Sequence, residues 1–174
     1  MSDEIRLAQR SDAKGIYTVH VASEVELDDA LGWGLRLGTL DYYERRLRLQ
    51  SKGKHKRPMY VLTRGGIVIA MMSFGESAPG FWGKKKFADP SARALCVFDV
   101  AVAPSCQRQG IGTELMKYAE DEARNRGIRY VRLDAYAANP RSNAFYEKIG
   151  YRDTHRVAVR GTILVCYEKD LQAS

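Results

Sequence analysis

LCVFDVAVAPSCQRQGIGT, residues 95–113, decides the fold. Leu95 to Val102 is a nearly continuous apolar run interrupted by Asp99, and such a run predicts a strand buried on both faces of a sheet. A glycine-bearing turn follows. From about Gly110 to Asn125 the residues Ile111, Leu115, Ala119 and Ala123 recur every fourth position, which predicts an amphipathic helix closed by Gly127. Tyr130-Val131-Arg132-Leu133-Asp134-Ala135 is the next strand, so the three elements form a βαβ unit with a parallel pair.

Outward from this unit the pattern changes. Ile5 to Ala8 alternates as a short strand, and Ser11-Asp12 offers an N-cap to a helix running toward Leu27. Gly32, Gly34 and Gly38 break the chain before a second helix, Thr39 to about Gln50, with Leu40, Tyr43 and Leu47 on one face. Met59–Leu62 and Ile67–Met72 flank Arg64-Gly65-Gly66 as a hairpin. Residues 74–93 have no clear period and read as a flexible connection that could contact substrate. A short helix, Pro140 to Lys148, and two strands around Gly161 complete the chain. The expectation is one mixed α/β domain over residues 1–174, its sheet mostly antiparallel with one parallel pair.

The chain has 174 residues, 45% apolar and 28% charged, the balance of a globular protein. No stretch approaches the roughly 20 apolar residues of a membrane span, and MSDEIRLAQR lacks the apolar core of a signal peptide, so a cytoplasmic protein without a membrane partner is expected. Cys96, Cys106 and Cys166 show no CxxC or Cys/His spacing, which points to reduced thiols and no metal. The formal charge of +7 is concentrated in runs such as Lys52 to Arg57 and Lys84 to Lys86. Without interleaved aromatics or a helix-turn-helix pattern, these runs read as solvated surface rather than a nucleic-acid interface.

Gln107 to Thr113 lies where a strand feeds a helix, and there backbone N–H groups and the helix dipole can hold a phosphate. A P-loop is excluded, because no lysine follows the second glycine. A dinucleotide fingerprint is half matched by Gly110-Ile111-Gly112, but Leu115 stands where its third glycine belongs.

Gln107, Gly110 and Gly112 fill the [QR]xxGx[GA] loop of the GNAT N-acetyltransferases, which the segment resembles. Asn139, Ser142, Tyr146, Gly150 and Tyr151 are similar to that family's second motif, NxxAxxxYxxxG[FY], with serine in place of the commoner alanine. The resemblance is close from Leu95 to Tyr151 and holds only in outline before it. It implies acetyl-CoA as co-substrate, with Val100, Ala101 and Val102 bonding the pantetheine arm. The same resemblance puts the pyrophosphate on Gln107, Arg108, Gln109, Gly110, Ile111, Gly112 and Thr113, and has Asn139 and Tyr146 contact the cofactor.

Acyl transfer to an amine needs a neutral nucleophile, a stabilised oxyanion and a proton for the departing thiolate. Tyr146 matches the family's general acid, and a backbone N–H near Val102 its oxyanion donor. Asp99 and Asp134 both interrupt central strands and stay open as the base; either carboxyl, if unpaired, would rise in pKa. Leu133-Asp134-Ala135-x-x-x-Asn139 also resembles the LEVxxxN segment of ribosomal-protein alanine acetyltransferases, whose glutamate is the base. The acceptor is expected to be a small-molecule amine or a peptide N-terminus, and a homodimer is among the expected states. A CoA-binding module without catalysis is the alternative from another class.

Overall fold

The computed structural model describes residues 3–31, 39–83 and 86–173, in which the elements are β1 (Asp3–Leu7), α1 (Ala13–Leu31), α2 (Leu40–Gln50), β2 (Met59–Arg64), β3 (Ile67–Gly75), β4 (Ala94–Val102), α3 (Ile111–Asn125), β5 (Tyr130–Tyr136), α4 (Pro140–Lys148), β6 (Arg152–Val159) and β7 (Thr162–Asp170). Among the described residues this is a mixed α/β architecture of seven strands and four α-helices with one parallel pair, the class expected from the sequence. The chain divides into two units, Met1–Phe74 with Asp99–Tyr118 and Gly75–Phe98 with Ala119–Ser174. The glycines Gly32, Gly34 and Gly38, and Lys84 and Lys85, lie outside the described residues.

In the first unit β1, β2 and β3 run antiparallel in sequence order, and the β2–β3 hairpin turns on Gly65 and Gly66, both at positive φ. Glycine is needed there because a two-residue turn that matches strand twist requires positive φ at both central residues. The register slips between Leu62 and Thr63. Ile16, Val19, Tyr43, Leu47, Met59, Val61 and Met71 share one apolar core, which joins α1 and α2 to β2 and β3. Gly15 makes the approach of α1 to β3 possible, since a Cβ there would stand 2.9 Å from Val68. Thr39, placed by the sequence at the start of the helix itself, is the N-cap of α2 and accepts from the Tyr42 N–H. Asp12 does not cap α1. It turns back to Arg6 at 2.7 Å and to the Gln9 N–H at 2.7 Å, inside a short 3-10 turn.

In the second unit the strand order is β4, β5, β7, β6. Parallel pairing of β4 with β5 takes in Ala94 to Cys96 against Tyr130 to Arg132, and β5 continues to Tyr136. The β5–β7 pairing is antiparallel along all of β5. Residues expected as a flexible connection behave differently at their centre. Trp82 and Phe87 are buried in a cluster with Cys96 and Cys166, and Trp82 ends a 3-10 turn that Gly83 closes in the left-handed region. A buried ion pair, Arg132 to Glu168 at 2.7 Å, holds the end of this segment: Arg132 donates to the Asp89 carbonyl and Glu168 accepts from the Ala88 N–H. The lack of periodicity that suggested a free loop reflects irregular backbone whose polar groups are satisfied by side chains. Among the described residues no helix is long and apolar enough to cross a membrane.

Candidate active site

β4 changes character along its length. Ala94 to Val97 are buried, whereas Phe98, Asp99, Val100 and Val102 are only half-buried. Asp99 has φ 56, an uncommon conformation for a residue with a side chain, and it kinks the strand just before Val100, Ala101 and Val102. Ala101 is buried in the first unit's core, and the next residue but one, Ala103, donates to the Ile69 carbonyl at 2.9 Å.

The loop after β4 makes a 3-10 turn, Pro104–Cys106, before reaching Gln107. Arg108 at φ 60 and Gly110 at φ 84 are both left-handed. Such alternation curls successive N–H groups toward one concavity, an arrangement that suits anions. The side chains of the loop brace it. Gln107 donates to the Val102 carbonyl at 3.3 Å, and Gln109 donates to the Ser105 carbonyl while accepting from Arg64. The first N–H bonded back into α3 is that of Glu114, to Gly110 at 3.0 Å, so the N–H groups of Ile111, Gly112 and Thr113 belong to the turn a helix leaves without acceptors. A Cβ placed on Gly110 would meet nothing within 4 Å. The backbone is open there, and the residues fit a pyrophosphate, whose oxygens accept from such a nest and gain from the helix dipole.

Asp99, open from the sequence between a base and a carboxylate paired with arginine, is paired with arginine. Its Oδ2 accepts from Arg46 Nη1 at 2.9 Å and from the Ser73 hydroxyl at 2.7 Å. Burial pushes its proton affinity up, but the charge of Arg46 and the two hydrogen bonds outweigh that, and the carboxyl is held below the usual range. The upward shift expected of an unpaired carboxyl does not arise here, because α2 carries Arg46 into the same unit. Tyr43 lies in this neighbourhood, bonded to the His20 ring; burial, then the Asp99 charge, raises its phenol.

Asp134, Asn139 and Tyr146 belong to the second unit. Asp134 Oδ2 accepts from the indole N–H of Trp82 at 2.5 Å. Tyr146 is buried among the rings of Phe145, Tyr151 and Tyr167. Burial, and after it the negative charge of Asp134, lifts the Tyr146 phenol far above its ordinary pKa, so it stays protonated through the neutral range. Asn139 caps α4: its Oδ1 accepts from the Ser142 N–H at 3.2 Å, and Pro140 fills the first helical position. Arg46, Ser73 and Trp82 were not legible as site residues. Trp82 stands 52 positions from the carboxylate it touches, and no spacing signal spans that distance.

A family model described as the acetyltransferase (GNAT) family matches residues 25–151. A [ribosomal protein bS18]-alanine N-acetyltransferase of Escherichia coli (strain K12) is 37% identical over 57 residues, 33% of this chain and 38% of that protein. The matched part thus spans about two fifths of that relative. An N-acetyltransferase from Staphylococcus aureus Mu50 superposes with a TM-score of 0.72 at 18% identity, covering 99% of this chain and 100% of that one. YncA from Salmonella typhimurium, solved with its cofactor acetyl-CoA, gives a TM-score of 0.67 at 23% identity, covering 100% and 96%. At these identities the two structures speak for the fold.

Proposed function

The chain belongs to the acetyltransferase (GNAT) family, and from that premise we propose that it moves an acetyl group from acetyl-CoA directly onto a primary amine, in a ternary complex, in the cytosol. One observation carries the reading. β4, after a short parallel pairing with β5, kinks at Asp99 and leads into a nest built on Arg108 and Gly110. A strand that bends at this point and runs into an anion nest suits an amide-bearing arm that ends in a pyrophosphate.

Val100, Ala101 and Val102 bond the pantetheine amides, Gln107 to Thr113 hold the pyrophosphate, and Asn139 lies beside the cofactor. The amine nitrogen attacks the thioester carbonyl, the new N–C bond forms and the C–S bond breaks. Tyr146 gives its phenolic proton to the departing sulfur, a role supported by its burial in protonated form. Asp134 takes the proton that leaves the amine, directly or through one water. Asp99, ionised and bound by two donors, is a poor base and braces the kink instead. The relative's name puts a peptide with N-terminal alanine first among acceptors to try.

The test is binding of acetyl-CoA by calorimetry, followed by thiol release over a panel of amines headed by alanine-terminated peptides. Binding with turnover of one amine class is the expected result. Absence of acetyl-CoA binding overturns the reading, and binding without turnover of any amine favours a module that holds CoA without catalysis.

A further inference from the structure

Trp82 sits in the segment with the least regular sequence, yet among the described residues it is the largest fully buried side chain. Its exposure is 0%; it stacks on Phe98 with centroids 5.6 Å apart and meets Phe87 edge-on at 6.2 Å. Its carbonyl accepts from His155 Nε2, whose ring also packs edge-on against Phe87. Gly83, left-handed, closes the 3-10 turn that Trp82 ends. Ring, carbonyl and backbone are thus fixed independently, and the indole N–H has one direction left to point. It points at Asp134 Oδ2, 2.5 Å away.

An aspartate needs such a partner. Rotation about its terminal bond is soft and roughly two-fold, so a carboxylate that must receive a proton at a set place is poorly aimed by its own rotamer. A donor on a rigid ring fixes the carboxylate plane, and a hydrogen bond to the charged form favours that form. Asp134 is also electrostatically coupled to Tyr146 and Cys166, so its charge state bears on the phenol assigned as the acid.

We propose that Trp82 is a positioning residue of this enzyme: its indole N–H orients the Asp134 carboxylate for the acid–base chemistry done with Tyr146. This rests on the reading of Asp134 as the base, and it brings residues 80–83, outside both sequence motifs, into the reaction. A buried indole needs an acceptor for structural reasons alone, so the test must separate packing from positioning.

Two variants do this: Trp82→Phe, and the full chain carrying 3-benzothienylalanine at position 82, which keeps the bicyclic ring and replaces N–H by sulfur. The carboxyl carbon signal of Asp134, assigned by its absence in Asp134→Asn, is followed against pH in 13C-aspartate-labelled protein. In both variants its titration should move to higher pH by about one unit, with that of Asp99 unchanged. Thiol release from acetyl-CoA with an alanine-terminated hexapeptide should lose about tenfold in kcat with little change in KM, and neither variant should lose more on top of Asp134→Asn. An unmoved Asp134 titration in the benzothienyl protein overturns the coupling, whatever the activity. Additive losses with Asp134→Asn overturn the positioning role and leave Trp82 a packing residue. Wild-type thiol release by Asp134→Asn itself overturns the base assignment beneath the proposal, an outcome distinct from the other two.

Discussion

Asp99 and Asp134 each interrupt an apolar strand, β4 and β5, and from the sequence both stay open as the base. Their surroundings differ. Asp99 accepts from a cation and a hydroxyl, and its backbone takes a conformation that few side chains adopt. Asp134 accepts from a neutral indole and shares its field with a buried phenol. The first arrangement fixes a negative charge and a bent strand. The second sets a carboxylate beside a buried, protonated phenol, the pair to which the proposed chemistry is assigned. Two acids that interrupt neighbouring strands thus meet different surroundings, set by residues 53 and 52 positions away.

The comparison is sharpened most by Tyr146→Phe. If the Asp134 environment is the chemical one, loss of the phenol removes the proton for the thiolate, and kcat should fall about a thousandfold while acetyl-CoA affinity is kept, measured by steady-state thiol release and calorimetry. A small effect would put the two acids back on equal terms. Next comes Arg46→Ala, which strands the Asp99 carboxylate. Removing one member of a largely buried pair costs about 3 kcal/mol, or about 10 °C in Tm for a domain of this size. The sign with pH follows from the lowered proton affinity of Asp99: its contribution is present above the unfolded carboxylate range and is lost as pH falls through its folded value. The Tm gap between wild type and Arg46→Ala should therefore be widest near neutrality and narrow in acid, as thermal melts at several pH values would show. The smallest effect is expected from Gly110→Ala. It forces φ +84 on a residue with a side chain, costs about 1 kcal/mol of stability, and puts a methyl group into the nest, so the Kd of acetyl-CoA should rise about fivefold.

The βαβ unit was legible because three local signals agree there: an apolar run, a helical period and glycines where left-handed backbone is required. The Gln107 to Thr113 loop and Tyr146 stood out through their resemblance to the family's two motifs. Partners were not. Nothing near Asp99 announces Arg46, and nothing in the Gly75 to Ala92 segment says that Trp82 will be buried against Asp134. These contacts come from tertiary packing, in which an irregular segment offers no period to read. Asp12 shows the same limit on a smaller scale, since a sequence that suits an N-cap also suits a turn once Arg6 lies opposite.

The most direct measurement is thiol release from acetyl-CoA, with one accepted amine, by Asp99→Asn and Asp134→Asn side by side. We predict a loss of about a hundredfold in kcat for Asp134→Asn, with Asp99→Asn within about threefold of wild type but melting lower. A collapse in Asp99→Asn with Asp134→Asn active would contradict the account.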